Sequence, residues 1–151
     1  VYHAHMKFDH EDIPLHWVNR LGFLVRKELA QAFREAGHDV SAEEWAVLLV
    51  LWSRGAQTPS HLANMTIRDR TTITRLVDGM VAKKLAQRRE DPADRRRSLI
   101  GLGCEGERLR PLLIPIAQSL IARAVAGISG NDLAITVRTL RQMTQNLMPE
   151  R

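Results

Sequence analysis

A single cysteine, Cys104, leaves this sequence no way to close an internal disulfide. A chain of 151 residues can bury an adequate core without one. A lone thiol fits a reducing compartment, so a cytoplasmic location is expected. No apolar run approaches the roughly 20 residues that span a bilayer, and no membrane partner is expected. The N-terminal stretch is rich in histidine and charge and lacks the apolar segment of a secretory leader. Its first residue is Val1, which makes Met6 a candidate natural start, and 1–14 reads as a flexible segment. A glycine-rich phosphate loop, a nucleophile elbow and a His-Glu metal motif are all missing, so the sequence offers no catalytic residue and calls for no cofactor. His3, His5, His10 and His16 do not have the spacing of a tetrahedral metal site, and no metal is expected.

What is present is positive charge in one place. Arg54 to Arg97 holds 11 Lys or Arg against 5 Asp or Glu, a net +6, out of a formal +5 for the whole chain. The rest of the chain is therefore close to neutral. A basic segment between neutral ones suggests a polyanion-binding module with other machinery around it.

Helical periodicity dominates. Leu15, Val18, Leu21, Val25, Leu29, Ala32 and Phe33 mark a long first helix that Gly37 ends. Ser41 and Glu44 form a capping-box pattern before a helix carrying Trp45, Leu48, Leu49 and Trp52. Thr58-Pro59 opens a short helix. After a turn near Thr66 to Arg68, Asp69 can cap a helix to about Lys84. Its inner face is Ile73, Leu76, Val77 and Met80; its outer face is Thr71, Thr74, Arg75 and Asp78. Ala86 to Glu90 and Ser98 to Leu102 read as two strands around the turn chemistry of Asp91-Pro92-Ala93-Asp94-Arg95. The helical period returns from Glu105 to Ala126, where Pro111 and Pro115 predict a bend or a late start. Ser129 caps a last helix through Leu147. The fold class is mainly α: a winged helix-turn-helix with a small β-wing, flanked by N- and C-terminal helices.

This arrangement suits duplex DNA. A helix fills the major groove, and exposed hydroxyls and arginine on it can meet base edges and phosphates. Arg95, Arg96 and Arg97 on a narrow ribbon can reach a minor groove. Three threonines in four helical positions, Thr71, Thr72 and Thr74, are poor helix formers, and a merely solvated face would favour Glu, Lys or Gln. The expected DNA-binding residues are Thr58, Arg68, Arg70, Thr71, Thr72, Thr74, Arg75, Arg88, Asp94, Arg95, Arg96 and Arg97.

Leu62-Ala63, Thr71 to Asp78, Leu85 with Arg88, and Asp91-Pro92-Ala93-Asp94-Arg95-Arg96 resemble the MarR/SlyA family of bacterial regulators. The resemblance extends in one register from about Leu15 to Leu147. It implies a sequence-specific transcriptional regulator, a homodimer on a pseudo-palindromic operator. It implies a recognition helix, about Arg70 to Lys84, in the major groove and a wing, Arg88 to Ile100, at the minor groove. Asp94 and Arg96 fall on the family's wing Asp-Arg pair. Many members are repressors released by small aromatic or phenolic effectors. Residues 41–102 would then be the DNA-binding domain, with 15–40 and 103–151 the dimerisation region. The sequence departs from the family at Lys84, where glycine is usual, at Gly101 and Gly103, and at Gly79 inside the recognition helix.

Only 5% of the residues are aromatic, so Trp17, Trp45 and Trp52 stand out. They read either as core packing or, with His16, Arg20 and His38 as polar contacts, as an effector pocket. Cys104 sits near a helix start, where a thiolate is favoured. The family's peroxide sensors instead carry their cysteine near the start of the first helix, where this chain has none. The alternative to a DNA-binding regulator is a helical protein-interaction module with the same fold.

Overall fold

The computed structural model describes residues 8–149; Met6, His3 and His5 lie outside them. A single 3-10 turn, His10–Asp12, leads into α1, Pro14–Glu35. The Asp9 carboxylate caps the turn by accepting from the Glu11 N–H, and Pro14 sets the first position of α1. Gly37 lets the chain leave α1 at φ +85°.

Helix α2, Ala42–Arg54, begins with the expected capping box. The Glu44 N–H donates to Ser41 Oγ, and the Ser41 N–H donates to Glu44 Oε1. Helix α3, Pro59–Thr66, starts at Thr58, whose hydroxyl accepts from the His61 N–H. Ile67 closes α3 in the left-handed region, φ 54°. Helix α4, Arg70–Ala82, follows from its Asp69 cap. Strands β1, Ala86–Glu90, and β2, Ser98–Leu102, pair antiparallel with Arg88 opposite Ile100. Helices α5, Cys104–Ala124, and α6, Gly130–Leu147, complete the chain.

The late start expected in α5 is not found: the helix begins at Cys104 and runs as one element through Pro111 and Pro115. The carbonyls that lose their N–H partners belong to Glu107 and Pro111. Both residues are exposed, so water can satisfy them.

The chain divides into two units, one ending at Ile116 and one from Ala117 onward. The core of the first joins Phe33 of α1, Val47, Leu48 and Leu51 of α2, Leu62 of α3, Ile73, Val77 and Met80 of α4, Ile100 of β2, and Leu113 of α5, all essentially inaccessible. Burying each such side chain stabilises the fold by about 1.5–3 kcal/mol. In the second unit α6 buries no residue, and Val137 and Leu147 are exposed. No helix among the described residues is long and apolar enough to cross a membrane.

Candidate nucleic-acid interface

Two exposed surfaces carry the basic segment. The first is the outer face of α4 with the turn before it. Arg68, Arg70, Thr71, Thr72, Thr74 and Arg75 are all exposed, while Ile73, Val77 and Met80 anchor the opposite face. Helical spacing forces this separation, since residues three and four apart share a side. Several of these groups already have local partners. Asp69 accepts from the Thr72 N–H at 2.7 Å and from the Thr72 hydroxyl at 2.8 Å. The backbone bond from Thr72, then its hydroxyl, hold the Asp69 carboxyl below its usual range. The Thr72 hydroxyl is thus a capping group, and its proton is not available to an outside acceptor. Thr74 Oγ1 donates to the Arg70 carbonyl, and Arg70 Nη1 donates to Ser60 Oγ, tying the two helices across the turn. Thr58 is half-buried as the α3 cap. Thr71 and Arg75 project from the middle of the face.

The second surface is the wing tip, Asp91 to Arg97. Asp91 Oδ1 accepts from the Ala93 N–H, and the Arg97 N–H donates to the Asp94 carbonyl at 2.9 Å. Asp94 Oδ1 takes the Arg96 N–H at 3.0 Å and Arg96 Nε at 3.2 Å, while the Arg96 side chain stays 92% exposed. The Arg96 backbone bond, then its side chain, and the nearby charge of Arg97 lower the Asp94 carboxyl from its ordinary value. Asp94 thus orients arginine without burying it. Arg95 and Arg97 are exposed beside it.

Arg88 differs from the other expected contacts, because its Nη2 donates to Asp78 Oδ1 of α4. Its guanidinium joins the wing to α4 while its side chain stays 42% exposed. The sequence placed Asp78 on the outer face of this helix but could not show its partner, which lies ten residues away across a turn. Gln57 also went unassigned. It exchanges both backbone hydrogen bonds with Ile100, at 2.9 and 2.7 Å, and so stitches β2 to the segment before α3. The buried Glu44, which accepts from Lys83 Nζ at 2.9 Å, braces the start of α2 against the end of α4. Burial is the largest single influence on Lys83 and opposes its charge, but bonding and attraction to Glu44 and Asp39 together raise its pKa above normal.

The departures at the wing have physical causes. Lys84 adopts φ +62°, the left-handed conformation that glycine takes without strain. A Cβ on Gly103 would lie 2.2 Å from the Lys84 carbonyl oxygen, so only glycine fits there. Gly101 leaves room for the Arg89 guanidinium, which donates to the Leu102 carbonyl. Around Gly79 there is open space.

The six residues considered for an effector pocket fall in different settings. His16 and Trp17 make edge contacts with each other, and His16 also meets His10. Trp17 Nε1 donates to the Glu11 carbonyl. Trp45 lies between Phe33 and Trp52, at ring separations of 5.3 and 5.5 Å. Trp52 Nε1 donates to the Gly106 carbonyl at the start of α5. His38 lines a cavity of about 300 Å³ with Lys83, Glu105 and Arg108. Arg20 is exposed on α1.

A helix-turn-helix followed by a two-stranded antiparallel hairpin, with basic side chains on both, defines a winged helix-turn-helix protein. The family model described as MarR family matches residues 38–97, from the α1–α2 loop to the wing tip. Over that stretch the chain is similar to the MarR family, and the curated relatives that it matches over most of its length are transcriptional regulators. It is 25% identical over 105 residues to the transcriptional regulator HosA of Escherichia coli O111:H-, covering 70% of this chain and 78% of that protein. It is 24% identical over 138 residues to the HTH-type transcriptional repressor NicR of Pseudomonas putida, covering 88% and 87%. Among solved structures, Bordetella bronchiseptica BpsR, whose DNA binding is regulated by 6-hydroxynicotinic acid, superposes with a TM-score of 0.80 at 23% identity, over 92% of this chain and 98% of that one.

Proposed function

We propose that this regulator binds double-stranded DNA as a homodimer and represses transcription until a small effector releases it. The observation that carries the reading is the exposure of Thr71 and Arg75 on α4 together with Arg95 to Arg97 at the wing tip, all within the one basic segment. A helix face of this chemistry suits the major groove, and an arginine ribbon suits the minor groove. Residues 41–102 serve as the DNA-binding part, and 15–40 with 103–151 as the dimerising part. Repression and release follow the relatives, one a repressor and one regulated by a hydroxylated aromatic acid. Exposed Trp17, Leu21, Phe23 and Leu24 on α1 call for a cover, which a second copy supplies.

Selection of duplexes from a random library tests the reading. A pseudo-palindromic site is expected, with half-sites about 34 Å apart. The affinity should fall with salt by a slope of about 0.9 per neutralised phosphate. Arg96→Ala should weaken binding, and Arg75→Ala should weaken it by about 1–3 kcal/mol and change the preferred sequence. Retention of no duplex, or binding indifferent to salt, overturns the reading in favour of a protein-interaction module.

A further inference from the structure

Ile67, in the turn between α3 and α4, combines two unfavourable features. Its backbone is left-handed, at φ 54° and ψ 48°, where a β-branched side chain is strained. Its side chain is also left in water, with the residue 71% exposed. The turn itself requires a left-handed residue at this position. The Arg68 N–H reaches back to the Ala63 carbonyl at 2.9 Å, and the Ile67 N–H donates to the Asn64 carbonyl at 3.3 Å. Nothing in the turn requires isoleucine. Glycine takes this conformation freely, and asparagine takes it with little strain. Lys84, the other non-glycine residue with positive φ among those described, exposes a charged group that water solvates. Ile67 exposes hydrocarbon. Among the described residues it is the one large apolar side chain exposed between Arg54 and Arg97. Burial within the chain therefore does not offset its strain, and strain of this kind persists where a function uses it. Its neighbours Arg68, Arg70 and Thr71 are all exposed on the surface that leads into α4.

We propose that Ile67 packs on the 5-methyl group of a thymine at the edge of the major groove, so that the turn, and not α4 alone, sets base preference. The proposal rests on the reading of the chain as a DNA-binding protein. The thymine methyl is the apolar group that the major groove displays, and aliphatic side chains meet it. Ile67 lies three residues before Arg70, the first residue of α4, a reach of about 10 Å. At about 3.4 Å per base pair, the thymine lies within three base pairs of those met by the first turn of α4. The contact carries no charge. It raises affinity without raising the dependence on salt, unlike a phosphate contact from Arg68 or Arg70.

Binding of the full chain to the selected duplex, with each thymine in turn replaced by deoxyuridine, tests the contact. The replacement removes the methyl group and keeps every hydrogen bond of the base. Wild type should lose about fourfold at one thymine of a half-site, and about sixteenfold when both half-sites are changed, the value of one buried methyl group each. Ile67→Asn removes the contact from both copies, so it should lose about sixteenfold on the unmodified duplex and nothing further on the doubly substituted one. Its salt slope should match wild type, and it should melt at or above the wild-type temperature because the strain is relieved. Ile67→Leu, which keeps an apolar side chain, should keep the sensitivity to deoxyuridine. The contact is overturned if Ile67→Asn binds as tightly as wild type, or if no thymine within the three-base-pair window separates the two proteins. A salt slope lower by about 0.9 in Ile67→Asn also overturns it, since a phosphate contact has then been lost through a neighbouring arginine. If wild type retains no duplex, the DNA-binding reading itself fails and the contact with it; if wild type binds and the variant matches it, the contact alone fails.

Discussion

At the scale of single residues, two backbone constraints meet where the wing joins α5. Lys84 holds a left-handed conformation, and its carbonyl faces Gly103 too closely for any side chain. Lys84→Gly relieves strain of about 1–2 kcal/mol and gives part of it back as unfolded-state entropy, so a net gain of about 0.5–1 kcal/mol is expected in denaturant unfolding. Gly103→Ala should destabilise by about 3 kcal/mol, the upper end for overpacking, since backbone and not a movable side chain stands in the way. Asp94 supplies a pH prediction. Its folded pKa lies below 3.8, chiefly through the Arg96 N–H and then the Arg96 side chain. The tip bonds are therefore complete above the ordinary carboxylate value and are lost as pH falls through the lowered one. A carboxyl titration followed by NMR should show a midpoint under 3.8, with the Arg96 amide shifting in step. A midpoint at or above that value contradicts the assignment.

At the scale of elements, the Asp78–Arg88 pair ties α4 to the wing. Simple charge counting says that Asp78→Ala should tighten binding to a polyanion. A positioning role says the opposite, because a freed wing must be ordered on binding. We expect affinity for the selected duplex to fall by up to about fivefold, the value of an exposed ion pair, with faster hydrogen exchange across β1. Tighter binding would refute the positioning role. Element boundaries were largely legible because local chemistry marks them: the Ser41–Glu44 box, the Thr58 and Asp69 caps, and the Asp-Pro-Ala-Asp turn each act within a few residues. The features that escaped depend on distant partners. Gln57 reads as loop until Ile100 lies beside it, and Lys83 reads as a solvated end until Glu44, 39 residues earlier, accepts its hydrogen bond. A late start of α5 was expected because sequence shows the lost hydrogen bonds and not the exposure that lets water replace them. In the same way, spacing put Thr72 and Arg88 among the expected DNA contacts but could not show that Asp69 and Asp78 bond to them.

At the scale of the whole chain, the basic excess and nearly all the large exposed apolar side chains lie in different stretches of sequence. The basic excess lies between Arg54 and Arg97, whereas α1 and α6 expose Leu21, Phe23 and Val137. Sedimentation at micromolar concentration should therefore show a dimer, and the double change Leu21→Asp with Val137→Asp should yield a monomer that no longer holds a two-half-site duplex. A wild-type monomer would overturn the dimer. The stitch between Gln57 and Ile100 has a mechanical consequence for such an assembly. It clamps the ladder at its central rung, so only the pairs Arg89 with Leu99 and Glu90 with Ser98 extend past the support. The wing is a short cantilever, about 7 Å of ribbon at some 3.3 Å per residue before its loaded end. Over so short an arm, small rotations at the root move the arginines little, and the reach of the tip is governed by the stiffness of the clamp more than by the flexibility of the loop.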